Sequence, residues 1–250
     1  MRTLRDPRHF STLKNMARSP AHYLSSVLEP REPTAPMRFG NICHSILFRQ
    51  PHIVWPKQRR GKDWEAFEAS RPANDTRLVI TQDEYDRARR VCDAIGANPD
   101  ATRVLVGQHE VERTWSMLCT PCAGRLDVLG DRYVTEFKTT TNSHPATFMR
   151  GAMRLGYHAQ LPWYIDGVGQ PDWDAYIVAV EVAPPYAVTV FQLSPRVLQE
   201  GRKLYRLWME QLLVCESTND WPAYCQSVVP FDMPDYDQPL IIDGEEVEAA

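Results

Sequence analysis

No stretch of this 250-residue chain is apolar for long enough to cross a bilayer, and its arginine-rich start lacks the apolar core of a secretory signal. Residence in the cytoplasm, with no membrane partner, follows as the expectation. No Gly-x-Ser-x-Gly elbow, Walker loop or Rossmann glycine pattern occurs, which removes support for serine hydrolysis, nucleotide hydrolysis and nicotinamide redox chemistry. There is no internal repeat, so a solenoid is not expected. From Gln226 onward there is no Lys or Arg, against seven acids: Asp232, Asp235, Asp237, Asp243, Glu245, Glu246 and Glu248. The six cysteines (43, 92, 119, 122, 215 and 225) supply one CxxC, Cys119 and Cys122, and no second pair at similar spacing. Reduced thiols are therefore expected in place of zinc or an iron–sulfur cluster.

What is present is ordinary in bulk and uneven in detail. A hydrophobic content of 43% and a charged content of 24% suit a globular α/β domain of this length. The expected organisation is one domain over 1–225 and an acidic, partly disordered tail over 226–250. The net charge of −4 owes its sign to that tail: without it, 28 basic residues face 25 acidic ones. Within the body, Arg2, Arg5, Arg8, Lys14 and Arg18 face only Asp6 in the first twenty positions, and Lys57, Arg59, Arg60 and Lys62 form a second basic knot. A charge run is usually a solvated face, but local basic patches also suit a phosphate backbone.

Periodicity predicts a broken helix over 11–28, capped by Ser11 and restarting at Pro20, and a helix over 37–48. Residues 49–77 read as irregular. Thr81-Gln82-Asp83-Glu84 resembles a capping box that opens a helix through Ile95. Strands are expected over 110–138, then a helix over 145–167, a second hairpin across Pro184-Pro185, and a long helix from Pro195 to about Cys215. The order predicts a mixed sheet with helices on its faces.

The most informative stretch is Gly124-Arg125-Leu126-Asp127 followed, across a Gly130-Asp131 turn, by Glu136-Phe137-Lys138. Alternation along a strand puts Glu136 and Lys138 on one face and Phe137 in the core. A hairpin places Asp127 beside Glu136, and two such carboxylates need a cation to stay ionised together. Hard oxygen ligands suit Mg²⁺, with Mn²⁺ as a substitute. Phe137 can add its backbone carbonyl. His44, in the run Ile42-Cys43-His44-Ser45, taken alone is an ordinary core histidine, but beside such a site it becomes a fourth ligand. Gln160 and Tyr164 share a helix face, and Pro162 between them suggests a bend or a late helix start.

Together these residues resemble the PD-(D/E)XK nuclease superfamily, more narrowly the RecB-like and RecE-type (exonuclease VIII-like) phage exonucleases. The resemblance runs from Phe10 to Leu213 through five segments: Phe10-Ser11-Thr12-Leu13-Lys14 with Ser19-Pro20, Phe39-Gly40-Asn41-Ile42-Cys43-His44, Arg60-Gly61-Lys62-Asp63-Trp64, the Asp127/Glu136-Phe137-Lys138 pair, and Gln160-Leu161-Pro162-Trp163-Tyr164. It implies a restriction-endonuclease-like core. It also implies Asp127, Glu136 and His44 on Mg²⁺, Lys138 positioning the nucleophile, and Gln160 and Tyr164 holding DNA. Arg59, Arg60, Lys62 and Arg125 are candidates for gripping backbone or terminal phosphate. The implied activity is 5′ to 3′ digestion of linear double-stranded DNA, leaving 3′ overhangs for recombination. The implied assembly is a ring trimer or tetramer, with a single-strand annealing protein as a possible partner. The alternatives are a structure-specific or restriction-type endonuclease on the same fold, or a non-catalytic DNA-binding recombination protein.

Overall fold

Residues 108–140 fold as an antiparallel meander of β4 (Gln108–Met117), β5 (Thr120–Leu129) and β6 (Tyr133–Thr140). The structure, a computed structural model, describes residues 6–29, 32–225 and 227–231, with the backbone of 240–242 and 245–247. Leu118 and Cys119, at φ 49° and 59°, make the two-residue turn between β4 and β5, the left-handed geometry that matches the twist of a hairpin. β6 runs parallel to β7 (Asp174–Glu181), which pairs antiparallel with β8 (Val188–Gln192). β1 (Arg8–His9), not anticipated from the sequence because it is two residues long, joins parallel to Cys122 and Ala123. The result is a mixed six-stranded sheet in the order β1-β5-β6-β7-β8, with β4 on the other edge of β5.

One edge of β5 is divided. β6 takes Val128 and Leu129 while β1 takes Cys122 and Ala123, so Gly124 to Asp127 have no ladder partner on that side. That split is where the sheet opens toward the candidate site.

Helices cover both faces. On one face α1 (Phe10–Leu13), α2 (Pro20–Leu28), α8 (Tyr157–Val168) and α9 (Pro195–Thr218) bury Phe10, Tyr23, Trp163, Tyr205 and Trp208 against Leu126 and Ile177. Each such side chain contributes about 1.5–3 kcal/mol of burial. On the other face α3 (Ala35–Leu47), α5 (Gln82–Gly96) and α6 (Pro99–Val104) pack Ile42, Ile46, Val91 and Val104 on Val128, Phe137 and Val178. The Thr81–Glu84 capping box forms as expected, with both reciprocal bonds in place.

Pro162 lies inside α8 without ending it. It has no N–H for the carbonyl of His158, and α9 fills the gap by approaching there. A Cβ built on Gly201 would stand 2.0 Å from that carbonyl oxygen, so glycine is what allows the close crossing. Of the bend or late start expected at Pro162, the structure has the late start: α8 begins at Tyr157, five residues before it.

Other expectations need correction. Residues 49–77 are not irregular: β2 (His52–Trp55) pairs parallel with β3 (Leu78–Thr81), and α4 (Lys62–Ser70) lies between them. Trp64 and Phe67 of α4 pack on Trp55, ring centres 5.5 and 4.7 Å away, an apolar contact that no periodicity in so polar a helix announces. The helix expected over 145–167 is two, α7 (Pro145–Arg154) and α8, turned at Gly156 with φ 78°. Ser11 lies inside α1, whose N-cap is His9. The expected partial disorder of the tail concerns Gln226 and 232–250, which lie outside the described residues apart from a short backbone hairpin, Leu240–Ile242 with Glu245–Val247. Among the described residues no helix is long and apolar enough to cross a membrane.

Candidate active site

Asp127 stands at the split in β5, where its own side chain replaces the missing ladder bond: the backbone N–H of Phe137 donates to Oδ2 at 2.8 Å. The other oxygen, Oδ1, lies 2.8 Å from His44 Nε2. α3 aims this imidazole because Phe39, Ile42, Cys43 and Ile46 bury its opposite face, and Gly40 lets the helix pass close to Thr139 Oγ1, 3.1 Å from a virtual Cβ.

The second nitrogen, Nδ1, faces Glu110 Oε1 at 3.0 Å, and Glu110 Oε2 faces Arg125 Nε at 3.0 Å. Neither Glu110 contact has hydrogen-bond geometry, and both of its carboxylate oxygens are buried without a donor. Glu110 was not singled out in the sequence. Pairs counted outward from the Leu118-Cys119 turn place it opposite Asp127, between the pairs His109–Val128 and Val111–Leu126. Its φ of 55° breaks the regular strand there.

Across the split, Glu136 is 2% exposed. Its Oε2 accepts from Lys138 Nζ at 2.7 Å and from Gln160 Nε2 at 3.2 Å, and Gln160 also donates to the Tyr164 hydroxyl at 3.0 Å. Glu136 Oε1 is buried with no partner. Lys138 Nζ lies 4.8 Å over the Tyr157 ring, a favourable cation–π placement. Gly124 makes room for Tyr164, since a Cβ there would come within 2.6 Å of its ring.

The charges are set against one another. Burial raises the Glu136 carboxyl, and the Asp127 charge adds to this, taking it to about 7 despite Lys138 and His44. Burial also opposes ionisation of Asp127, but His44, the Lys138 charge and the Phe137 N–H hold its carboxyl below the usual range. Burial alone would lower His44; Asp127 and Glu110 lift it to about 9. Burial likewise opposes the Lys138 ammonium, and the Glu136 and Asp127 charges override it, so it stays protonated above the ordinary lysine range. Tyr164 is held neutral by burial and the Glu136 charge.

Two buried carboxylates, the half-buried Glu110 and one imidazole, with both Glu110 oxygens and Glu136 Oε1 lacking a donor, suit a hard divalent cation. His44, Glu110 and Asp127 each offer an atom within 4.8 Å of the others. Glu136 is not in that group, but its carboxyl feels the Asp127 charge and its Oε1 is buried without a partner. In an extended strand the N–H and C=O of one residue point the same way, so the Phe137 carbonyl faces the Asp127 side with its N–H.

The structure brings together Asp127, Glu136, Lys138, His44, Gln160, Tyr164 and Arg125. Among the described residues, no hydrogen bond or ion pair links the basic knot to them. Arg59 forms a two-pronged pair with Glu84 at 2.7 Å and also donates to the Val79 carbonyl, so its charge is committed to the β3–α5 junction. Lys57 pairs with Asp63, while Arg60 and Lys62, the first residue of α4, are exposed. Cys119 is exposed in its turn and Cys122 is buried, with burial raising its thiol to about 11.

A mixed sheet between helical layers, split at an aspartate beside a Glu-x-Lys strand, defines the class: a PD-(D/E)XK-type domain. The chain belongs to the family described as PDDEXK-like domain of unknown function (DUF3799), whose model matches residues 9–231. Among solved structures, a Eubacterium rectale protein with the provisional description exonuclease shares the fold, at a TM-score of 0.65 and 13% identity over 93% of this chain and 92% of that one. A second, SSO0001, overlaps 49% of this chain and 57% of that one at 13% identity, with a TM-score of 0.30, and carries no argument. No curated protein matches the chain by sequence.

Proposed function

We propose that this chain is a divalent-metal-dependent deoxyribonuclease that digests linear double-stranded DNA from its ends, in the 5′ to 3′ direction, leaving 3′ overhangs. The observation that carries the hydrolytic part is the convergence of Asp127, Glu136, Lys138 and His44 at the gap between β1 and β6 along one edge of β5. End-dependence is supported by the RecE-type resemblance and by the description of the structural neighbour as an exonuclease.

Asp127, Glu110, Glu136 and His44, with the Phe137 carbonyl, would hold Mg²⁺ or Mn²⁺. The ion supplies Lewis-acid polarisation of a phosphoryl oxygen and neutralises developing charge. The protein's own groups do the rest. Lys138, fixed by Glu136 and Tyr157, holds its proton and presents a fixed positive charge where the phosphoryl group becomes more negative. Gln160 ties Glu136 to Tyr164, and the Tyr164 hydroxyl, accepting from Gln160, keeps its own proton to donate to a phosphate or base. Arg125 stands 60% exposed at the rim, anchored by Glu110 and open to a backbone phosphate.

The test is digestion of a duplex labelled at the 5′ or the 3′ end, beside a covalently closed circle, with Mg²⁺ and with EDTA. The reading expects early release of the 5′ label, an intact circle and no release in EDTA. Cutting of the circle would establish the endonuclease alternative, and no Mg²⁺-dependent release from any substrate would leave a DNA-binding protein.

A further inference from the structure

Between Glu136 and Asp166 the chain runs for 29 residues without an acid, where its average composition would place about four. That stretch leaves the candidate site along β6 and carries α7. The helix is built in stripes: Phe148 and Ala152 are buried, while Met149, Arg150, Met153 and Arg154 face outward. Met149 and Met153 are 51% and 49% exposed, and Leu155, which follows, is 46% exposed. Arg150 and Arg154 are exposed, and neither has a carboxylate within ion-pair distance among the described residues; Arg150 Nε donates only back to the Ala146 carbonyl at 3.2 Å. Ten of the eighteen other described arginines pair with a carboxylate, among them Arg8 with Glu216, Arg59 with Glu84 and Arg202 with Asp166.

The position of the helix is fixed by rings. Phe148 stacks on Phe191, centres 4.8 Å apart, and meets Tyr157 at 6.4 Å. Tyr157 is the ring under Lys138. Two ring contacts, 4.8 and 6.4 Å, thus join the lysine of the site to the buried face of α7, and the outward face lies one helix diameter, about 10 Å, beyond that face.

We infer that the outward face of α7 is a DNA-binding surface: Arg150 and Arg154 each neutralise one backbone phosphate of the strand leading to the candidate site, and Met149 and Met153 lie against its sugars and base edges. Two arginines at i and i+4 with no acid nearby retain their full charge for an anion. Exposed methionines supply an adaptable apolar surface that suits many base sequences. This goes beyond the hydrolytic cluster but rests on the reading of the chain as a protein that acts on DNA.

The experiment compares wild type with the double variant Arg150→Ala/Arg154→Ala by fluorescence anisotropy, using a short labelled duplex and Ca²⁺ over a series of salt concentrations. The expected result is weaker binding and a plot of log affinity against log salt whose slope is shallower by about 1.8, since each lost phosphate contact removes about 0.9. In digestion, KM rises while kcat is retained. Arg150→Lys/Arg154→Lys keeps the charge and restores the slope, which separates lost phosphate contacts from a disturbed helix. An Ala double variant that binds with the wild-type affinity and slope overturns the inference and leaves the nuclease reading intact. Failure of the wild type to bind or cut any duplex overturns the nuclease reading instead.

Discussion

The backbone N–H of Phe137 donates to Asp127 Oδ2 at 2.8 Å, where the β5–β6 ladder has already ended at Val128–Thr135. One carboxylate oxygen of the candidate site is thereby part of the sheet, and only the other is turned to His44. Fold and chemistry meet in a single side chain, which two substitutions separate.

Asp127→Asn retains an oxygen for the Phe137 N–H and loses the charge. It should melt close to wild type while nuclease activity falls by about 10²–10³-fold, the scale of removing one preorganised electrostatic group. Asp127→Leu leaves a buried N–H unpaired and should also lose about 1–3 kcal/mol of stability. Thermal melts followed by circular dichroism, beside the digestion assay, check both. Full activity in the purified Asn variant would remove the proposed centre.

Glu110 provides a second test, because it was found only in the structure. Lying 3.0 Å from His44 Nδ1 and 3.0 Å from Arg125 Nε, it either joins the cation or orients those that do. In both cases Glu110→Gln should weaken divalent-ion binding by about 10–100-fold. Titration calorimetry with Mn²⁺, in the absence of DNA, reads this directly. An unchanged binding isotherm would make Glu110 a purely structural partner of His44.

The sequence disclosed Asp127, Glu136 and Lys138 because strand alternation and a Gly-Asp turn are local signals, and the structure brings them together as that pattern implies. Glu110 was hidden for two reasons: it stands seventeen residues upstream of Asp127, the residue opposite it across the β4–β5 pair, and its left-handed φ interrupts the alternation that would have drawn attention to it. Arg59 shows a partner that local sequence does not reveal. A run of bases reads as a surface for phosphate, whereas Glu84, 25 positions further on, claims the guanidinium. The β2–α4–β3 unit escaped because α4 meets β2 through three rings, Trp55, Trp64 and Phe67, brought together by tertiary packing.

That Arg59–Glu84 pair has a pH signature. Burial raises the Glu84 carboxyl, but hydrogen bonds from Arg59 and the Thr81 N–H, with the Arg59 and Arg38 charges, bring it down to about 2 from the usual 4.5. A carboxyl lowered on folding stabilises the protein above about pH 4.5, and this contribution is lost as the pH falls toward 2. Glu84→Gln should therefore be destabilised at pH 7 and converge on wild type in acid. Arg59→Ala should cost roughly 1.5–3 kcal/mol at neutral pH, the range for hydrogen bonds to charged groups, with duplex affinity retained. Urea melts across that pH range, paired with an anisotropy titration, check the two. Lost affinity at full stability would return Arg59 to the DNA surface.

Two glycines predict opposite outcomes from the same substitution. At Gly201 a methyl group would meet backbone, 2.0 Å from the His158 carbonyl oxygen, so α8 and α9 must separate. Overpacking of that kind costs about 1–3 kcal/mol or more, and Gly201→Ala should lower the melting temperature. At Gly124 the obstacle is the Tyr164 ring, 2.6 Å from a virtual Cβ, with Trp115 at 3.4 Å. A ring can give way where a backbone cannot, but this ring moves only by withdrawing its hydroxyl from Gln160, and Gln160 from Glu136. Gly124→Ala should therefore lose more activity than stability, with kcat falling further than the melting temperature would suggest. Tyr164→Phe made in the same background tests the route. If the hydroxyl is the link, the double variant is no less active than Gly124→Ala alone; an additive loss would place the effect of Gly124 elsewhere in β5.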